Sequence, residues 1–236
     1  MNRDDILLKA QEFVREELAA DGSGHDWHHV RRVWENARQL VAEEGGNRFV
    51  VEMAALLHDI EDWKVTGKKP GEKGGKVEAF LGRFLLSEAD IKAILDVVSG
   101  IGYVKTIDTP ELRLESLEAK IVSDADKLDA VGAIGIARCF ALSGNKNMLI
   151  FDPDVFPVSD LTHDRYVDFK RKGNTSINHF FDKLLRLRGM FHTQAAKKEG
   201  EKRHQVMVDF LDRFFEENHM PEWQDFLQKF LLKTGG

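Results

Sequence analysis

The sequence has 236 residues but only one cysteine and five prolines, and it lacks any long uncharged apolar stretch. The lone thiol of Cys139 cannot form an intrachain disulfide or a cysteine-rich zinc site, so we expect a reducing compartment. No apolar run approaches the roughly 18 residues that a membrane-spanning helix needs. Five acidic residues within the first twenty are unlike the basic and apolar segments of a signal peptide. These features predict a cytoplasmic protein that does not cross a membrane.

An excess of one charge is also absent, because 34 basic and 40 acidic residues are interspersed along the chain. No basic stripe is available to neutralise a nucleic-acid backbone, so we expect no duplex nucleic acid as a partner. At about 150 residues per domain, this length corresponds to one or two domains. No internal repeat, low-complexity tract or sharp change in composition divides the chain. We therefore predict a single domain over 1–236.

Apolar residues recur at intervals of three and four before the first proline, Pro70, which is typical of amphipathic helices. Residues 50–57 are too broadly apolar for a surface helix, so we expect them at the centre of the core. The fold class that follows is all-α, a helical bundle. The same kind of pattern predicts further helices at about 26–44, 75–85, 87–98, 113–128 and 130–143.

Two segments lack this periodicity. Residues 64–76 contain five lysines, four glycines and a proline, which is typical of a loop. Residues 143–174 have the composition of a long irregular connection. Beyond them we predict C-terminal helices within 175–232 that pack on the rest of the domain. Aromatic and leucine side chains there form stripes at helical spacing, which we attribute to core packing, with a homodimer interface as the alternative: Phe210, Leu211, Phe214, Phe215, Trp223, Phe226, Leu227 and Phe230.

A histidine and an aspartate, His58 and Asp59, directly follow the apolar segment 50–57. Burying these two side chains is costly unless each is paired or bound to a metal ion. An isolated pair of this kind is more often a helix end that reaches solvent. The pair alone therefore does not decide between a metal site and a polar helix end.

Three carboxylates, those of Asp124, Asp126 and Asp129, fall within six residues. Like charges this close to one another cost free energy unless a cation or a basic group lies among them. A metal site would satisfy them, and so would a solvated acidic face with Lys127 as the partner.

Four short motifs follow one another along the chain. They are His29-Val30-Arg31-Arg32-Val33, Leu56-Leu57-His58-Asp59, Asp124-Ala125-Asp126-Lys127-Leu128-Asp129-Ala130, and Thr175-Ser176-Ile177-Asn178-His179-Phe180 followed by Lys183-Leu184-Leu185. Taken in order, they resemble the motifs of the HD superfamily of metal-dependent phosphohydrolases, and the last motif is similar to a bacterial subgroup of HD hydrolases. The resemblance spans about residues 20 to 215, with the core motifs within 25–130, and it implies an all-α bundle of the HD-domain type with a metal site in its core.

Matched position by position, the resemblance implies four metal ligands, His29, His58, Asp59 and Asp126. Two imidazoles and two carboxylates suit a divalent ion such as manganese, magnesium, iron or zinc, of which we favour manganese. No histidine lies between residues 58 and 126 to bind a second metal, so we expect one ion.

Two acidic residues, Glu61 and Asp62, come three and four residues after His58. Stringent-response hydrolases of this superfamily carry a Glu-Asp pair shortly after their His-Asp, and here the pair comes one residue earlier. We predict that Asp62 transfers the proton, with Glu61 as the second candidate. Pairing of Asp62 with Lys64 at a helix end is the alternative.

Two carboxylate ligands cancel the charge of a divalent cation, so a phosphorylated substrate needs further cations. We predict that Asn178 and His179 close the rim of the pocket, and a local helix-capping role is the alternative for both. The candidate cationic groups are Lys64, Lys68, Lys69, Lys127, Arg165 and Lys183, each of which could instead be a solvated surface side chain.

The function that the resemblance implies is metal-dependent hydrolysis of a nucleotide, with pyrophosphate or phosphate released from a nucleoside phosphate by metal-activated water. We favour pyrophosphate release, because the lysine-rich segment 64–76 carries more positive charge than one phosphate requires. The alternative is a catalytically silent domain that binds a nucleotide or a partner and uses the metal structurally.

Overall fold

The computed structural model describes residues 1–19, 26–60, 75–101, 114–157 and 175–234, and these residues contain helices and turns but no strand. The predicted all-α fold class is therefore confirmed. None of the described helices is both long and apolar enough to cross a membrane. The described helices, numbered in chain order, are α1 (Arg3–Glu17), α2 (Trp27–Glu44), α3 (Arg48–Leu57), α4 (Lys76–Leu81), α5 (Glu88–Gly100), α6 (Leu117–Asp129), α7 (Gly132–Asn145), α8 (Ser176–His179), α9 (Gln194–Glu217) and α10 (Pro221–Thr234).

The chain divides into two compact units, Met1–Asp126 and Lys127–Gly236, and the boundary falls within α6. The single domain over 1–236 stays a prediction. Of the two segments expected to be irregular, residues 64–74 of the first and 158–174 of the second lie outside the described residues. In the second segment, residues 143–145 belong to α7, which continues two residues past its predicted end, and residues 146–157 contain no helix.

Helix α3 is the centre of the first unit. Every residue from Phe49 to Leu57 is buried, and α1, α2 and α5 all contact this helix. The expectation that residues 50–57 lie at the centre of the core is thus confirmed. A helix that is apolar on all sides must be surrounded by other helices, because any face left in water would lose its share of the hydrophobic stabilisation.

A buried carboxylate, that of Glu52, lies within this apolar helix. Its Oε2 accepts a hydrogen bond of 2.9 Å from Nε1 of Trp34, and its Oε1 accepts one from Nε of Arg48. The Arg38 guanidinium lies 3.6 Å from Oε2, and the hydrogen bond from Arg48 raises the pKa of the Arg48 side chain. Both oxygens of Glu52 are satisfied, which offsets the cost of burying its charge and fixes α3 against α2.

In the second unit, α7 contacts α8 and α9, and α9 contacts α10. The aromatic stripes form the core here, as expected. Their central side chains are fully buried, namely Leu211, Phe215, Trp223 and Leu227. The ring of Phe156 stacks on Trp223 at a centroid distance of 4.5 Å.

The carboxyl end of α6 is held by two guanidinium groups within this second unit. Arg138 Nη1 donates to Asp129 Oδ2 at 2.7 Å, and Arg203 Nη1 donates to the Leu128 carbonyl oxygen at 2.7 Å. Cations at this end of a helix satisfy carbonyl groups that lack a partner further along the helix, and they interact favourably with the helix dipole.

Two helices are shorter than predicted, each for a local reason. Helix α4 ends at Leu81 instead of residue 85, because the chain tightens into turns in which Arg83 N donates to the Phe80 carbonyl and Phe84 N to the Leu81 carbonyl. Helix α6 begins at Leu117 instead of residue 113. The Ser116 hydroxyl accepts from Ala119 N at 3.1 Å and so caps the helix at that point.

Two glycines of α7 should respond in opposite ways to the same substitution. A Cβ at Gly135 would overlap the Ala130 carbonyl oxygen, whereas a Cβ at Gly144 would meet nothing within 4 Å. We expect Gly135→Ala to lower the free energy of unfolding by about 1–3 kcal/mol. Gly144→Ala should leave it unchanged or raise it by up to about 1 kcal/mol. Urea unfolding of both variants measures this, and equal effects would contradict the assigned contact.

The buried His204 of α9 should make stability depend on pH. Burial, and secondly the charge of Arg188, lower the pKa of His204 below its usual value, and Glu201 opposes this shift. As the pH falls below about 6.5, the unfolded chain takes up a proton at this residue before the folded protein does. The free energy of unfolding should therefore fall more steeply between pH 7 and pH 5 in the wild type than in His204→Leu. Urea unfolding at a series of pH values measures this dependence. If the free energies of unfolding of the two proteins fall in parallel with pH, His204 does not cause the pH dependence.

Candidate metal centre

His29 is held rigidly at the start of α2. It is the third residue of that helix, and its backbone N–H donates to Oδ1 of Asp26 at 2.9 Å, which caps the helix. Its side chain is 1% exposed. The neighbouring His28 is exposed, so the first turn of α2 directs one histidine inward and the other to solvent.

His58 and Asp59 follow the last residue of α3, and both are buried. Nδ1 of His58 lies 2.8 Å from the Ala55 carbonyl oxygen. Because a carbonyl oxygen only accepts, this contact places the proton on Nδ1, and in the neutral ring the lone pair is then on Nε2. Nε2 is buried and makes no hydrogen bond to any described residue. A buried imidazole in this tautomer is suited to bind a metal ion.

The structure brings together all four residues proposed as metal ligands. Nε2 of His29 lies 3.2 Å from Oδ2 of Asp59 and 3.6 Å from Oδ1 of Asp126, and Nε2 of His58 lies 3.4 Å from Oδ1 of Asp59. Single donor atoms of His29, His58 and Asp126 all fall within 4.8 Å of one another.

These separations fit the donor atoms of one divalent ion. Metal–ligand bonds of about 2.0–2.2 Å place neighbouring donors roughly 3 to 3.6 Å apart in octahedral or tetrahedral coordination. Two nitrogen and two carboxylate donors suit manganese, iron or zinc. The geometry therefore makes a divalent metal site plausible, and manganese stays a prediction.

The cluster is closed on most sides and opens at one ligand. The side chains of His29, His58 and Asp59 are at most 6% exposed, whereas that of Asp126 is 32% exposed. A metal ion held here would therefore be reached by water or a small molecule from the side of Asp126. The arrangement can bind a cation and leave part of its coordination sphere accessible, which hydrolytic metal sites require.

Several residues predicted to act on the substrate lie outside the described residues: Glu61, Asp62, Lys64, Lys68, Lys69 and Arg165. The side chain of Lys127 is buried, and those of His179 and Lys183 are half-buried. Asn178 is fully buried, and its Nδ2 donates to the Val155 carbonyl oxygen at 2.8 Å. Asn178 thus anchors a neighbouring turn, and its role towards a substrate stays a prediction.

The structure assigns a contact to one residue absent from these predictions, Asn36, and excludes a catalytic role for another, Cys139. Asn36 Nδ2 donates to the carbonyl oxygen of Ala125, the residue before Asp126, at 3.2 Å. Its place seven residues after His29, on the same face of α2, is the sequence signal that could have found it. Burial raises the pKa of the Cys139 thiol to about 12, so this cysteine is not a candidate nucleophile.

Comparison with known proteins agrees with this geometry. The HD domain family matches residues 26–131. Protein YpgQ of Bacillus subtilis is 34% identical over 201 residues, which cover 84% of this chain and 87% of YpgQ.

Solved structures superpose on almost the whole chain. An HD-superfamily hydrolase from Bacillus thuringiensis is 39% identical with a TM-score of 0.73, and the match covers 92% of this chain and 99% of that one. The crystal structure of YpgQ in complex with ADP, 27% identical in the structural alignment, has a TM-score of 0.68 over 92% of this chain and 97% of YpgQ. Together with the matched HD domain, these similarities show that the chain belongs to the HD superfamily of hydrolases.

Proposed function

We propose that this protein is a metal-dependent phosphohydrolase that releases pyrophosphate or phosphate from a nucleotide. The observation that carries the proposal is the convergence of His29, His58, Asp59 and Asp126 on one point in the first unit. Three of these side chains are buried, where uncompensated polar groups are costly. A bound divalent cation accounts for both their burial and their spacing.

The four side chains would hold the cation, with Nε2 of each histidine and an oxygen of each aspartate directed at it. A divalent ion supplies Lewis acidity towards a phosphoryl oxygen and lowers the pKa of water. The chain itself fixes the ligands in advance. The Ala55 carbonyl orients the His58 ring, and the Asp26 cap fixes the turn that carries His29. Such orientation by neighbouring groups is typical of metal sites that act in catalysis.

The charge of the centre bears on how a substrate is bound. The carboxylates of Asp59 and Asp126 formally cancel the charge of a divalent cation. Other cationic groups must therefore neutralise the negative charge of a polyphosphate. Lys64, Lys68 and Lys69 follow the His-Asp pair in sequence and are the residues that we propose for this role. We also propose four further substrate-binding groups, Lys127, Asn178, His179 and Lys183. Asp62 or Glu61 transfers the proton in this proposal.

A nucleotide is the substrate class that the comparisons favour. YpgQ, which resembles this chain over most of its length, has been crystallised with ADP. Lysines that follow the His-Asp pair in sequence also suit the negative charge of a nucleoside polyphosphate, because the proposed metal centre is formally neutral. We therefore propose a nucleoside phosphate as the substrate. The homodimer named as the alternative for the aromatic stripes stays a prediction.

Metal binding should depend on His58 and not on a neighbouring exposed histidine. We expect the wild type to bind one equivalent of Mn²⁺, and His58→Ala to bind it more than about 100-fold more weakly, because a buried donor is lost. His28→Ala is the matched control, since His28 is exposed at the start of α2. Isothermal titration of metal-free protein measures the affinities. A full metal equivalent bound with unchanged affinity by His58→Ala would refute the proposed centre.

Product analysis should identify the reaction. We expect the Mn²⁺-loaded wild type to release pyrophosphate from at least one nucleoside triphosphate, and His58→Ala to lose this activity by more than about 100-fold. Separate assays of phosphate and pyrophosphate over nucleoside mono-, di- and triphosphates decide between the two products. A metal-loaded wild type that binds nucleotides and releases neither product would instead favour the catalytically silent domain.

A further inference from the structure

A hydrogen bond links the two helices that carry His29 and Asp126. Asn36 of α2 donates from Nδ2 to the carbonyl oxygen of Ala125 in α6, at 3.2 Å. The next residue of α6 is Asp126, whose Oδ1 lies 3.6 Å from Nε2 of His29. The two helices therefore meet at a ligand pair and at a polar contact directly beside it, all within the unit Met1–Asp126.

The geometry of α2 explains how one helix provides both contacts. Seven residues separate His29 from Asn36, which is close to two helical turns, so both side chains leave the same face of the helix. Helical side chains lean towards the amino terminus, so the amide of Asn36 is directed back towards His29. The stretch of α6 at Ala125 and Asp126 thus meets one polar stripe on α2.

We infer that Asn36 is a positioning residue for the metal centre: its amide holds α6 against α2 so that Asp126 stays at coordinating distance from His29. This inference rests on the proposed function, because it concerns the affinity of the same site. Asn36 does not touch the cation or the substrate in this role. It acts through the backbone of Ala125, the residue next to Asp126.

Such a contact matters because of the charge of the ligands in metal-free protein. The carboxylates of Asp59 and Asp126 both lie within 3.6 Å of Nε2 of His29, and without a cation these like charges repel. Repulsion would push α6 away from α2, and binding a metal would then require bringing Asp126 back. An uncharged amide resists this displacement whether or not metal is present. The ligands are thereby preorganised, which raises affinity without adding a ligand.

The experiment compares two variants that each remove one N–H donor from α2. Asn36→Ala loses the contact to α6, whereas Trp34→Phe loses the contact of Trp34 Nε1 to Glu52 in α3 and keeps an aromatic ring there. Mn²⁺ affinity is measured by the electron paramagnetic resonance signal of the free ion. Thermal unfolding of the metal-free proteins is measured in parallel. We expect Asn36→Ala to bind Mn²⁺ about 10-fold more weakly and Trp34→Phe to change affinity by less than about twofold.

A second variant separates the lost donor from an altered packing volume. Asn36→Asp has nearly the same shape, but an ionised carboxylate cannot donate to the Ala125 carbonyl. Its added negative charge alone would tighten Mn²⁺ binding, so weaker binding supports the positioning role and tighter binding overturns it.

The remaining outcomes are also decisive. Equal loss of Mn²⁺ affinity in Asn36→Ala and Trp34→Phe would mean that either substitution weakens the site by destabilising the unit Met1–Asp126 as a whole. That result would overturn the inference. Unchanged Mn²⁺ affinity in Asn36→Ala would overturn the inference about Asn36 but would not contradict the proposed metal centre. A wild type that binds no Mn²⁺, Zn²⁺ or Fe²⁺ would instead refute the proposed function on which the inference rests.

Discussion

Polar groups buried at the end of an apolar helix are the constraint that organises the first half of this protein. Helix α3 is buried along its whole length, and His58 and Asp59 follow it without reaching solvent. An imidazole and a carboxylate in such a place destabilise the fold unless other groups compensate them. His29, in the first turn of α2, lies 3.2 Å from Asp59, and Asp126, in the carboxyl-terminal part of α6, lies 3.6 Å from His29.

The same helix contains a second buried acid, which is compensated in a different way. Both oxygens of Glu52 accept from protein donors, Trp34 and Arg48, so its environment is complete without a ligand. Nε2 of His58, in contrast, is buried and makes no hydrogen bond to a described residue. This difference separates a structural ion pair from a candidate binding centre. A buried polar atom that the described protein leaves unsatisfied is where a ligand gains most.

The sequence was sufficient to predict the fold class, the central position of α3 and the residues that converge on the metal centre. The fold class and the position of α3 leave local patterns, such as a continuous apolar run, whereas the four candidate ligands were assigned through the motifs that resemble the HD superfamily. The end of α4 and the start of α6 were less predictable, because local hydrogen bonds near Leu81 and Ser116 decide them. The contact between Asn36 and Ala125 joins residues far apart in the chain, so the spacing of Asn36 from His29 places it on the same face of α2 but does not identify its partner.

The position of the four candidate ligands along the chain has a consequence for folding. His29 and Asp126 are about 100 residues apart, with His58 and Asp59 between them. A cation shared by all of them would close two long loops of the chain at once, as a disulfide closes one, and would reduce the conformational freedom of the unfolded state if it stayed bound there. With Cys139 as its only cysteine, this chain cannot form such a covalent cross-link within itself. Metal coordination would then link distant parts of the chain, as a disulfide does in other proteins. The formation of this link would depend on the concentration of the metal instead of the redox potential.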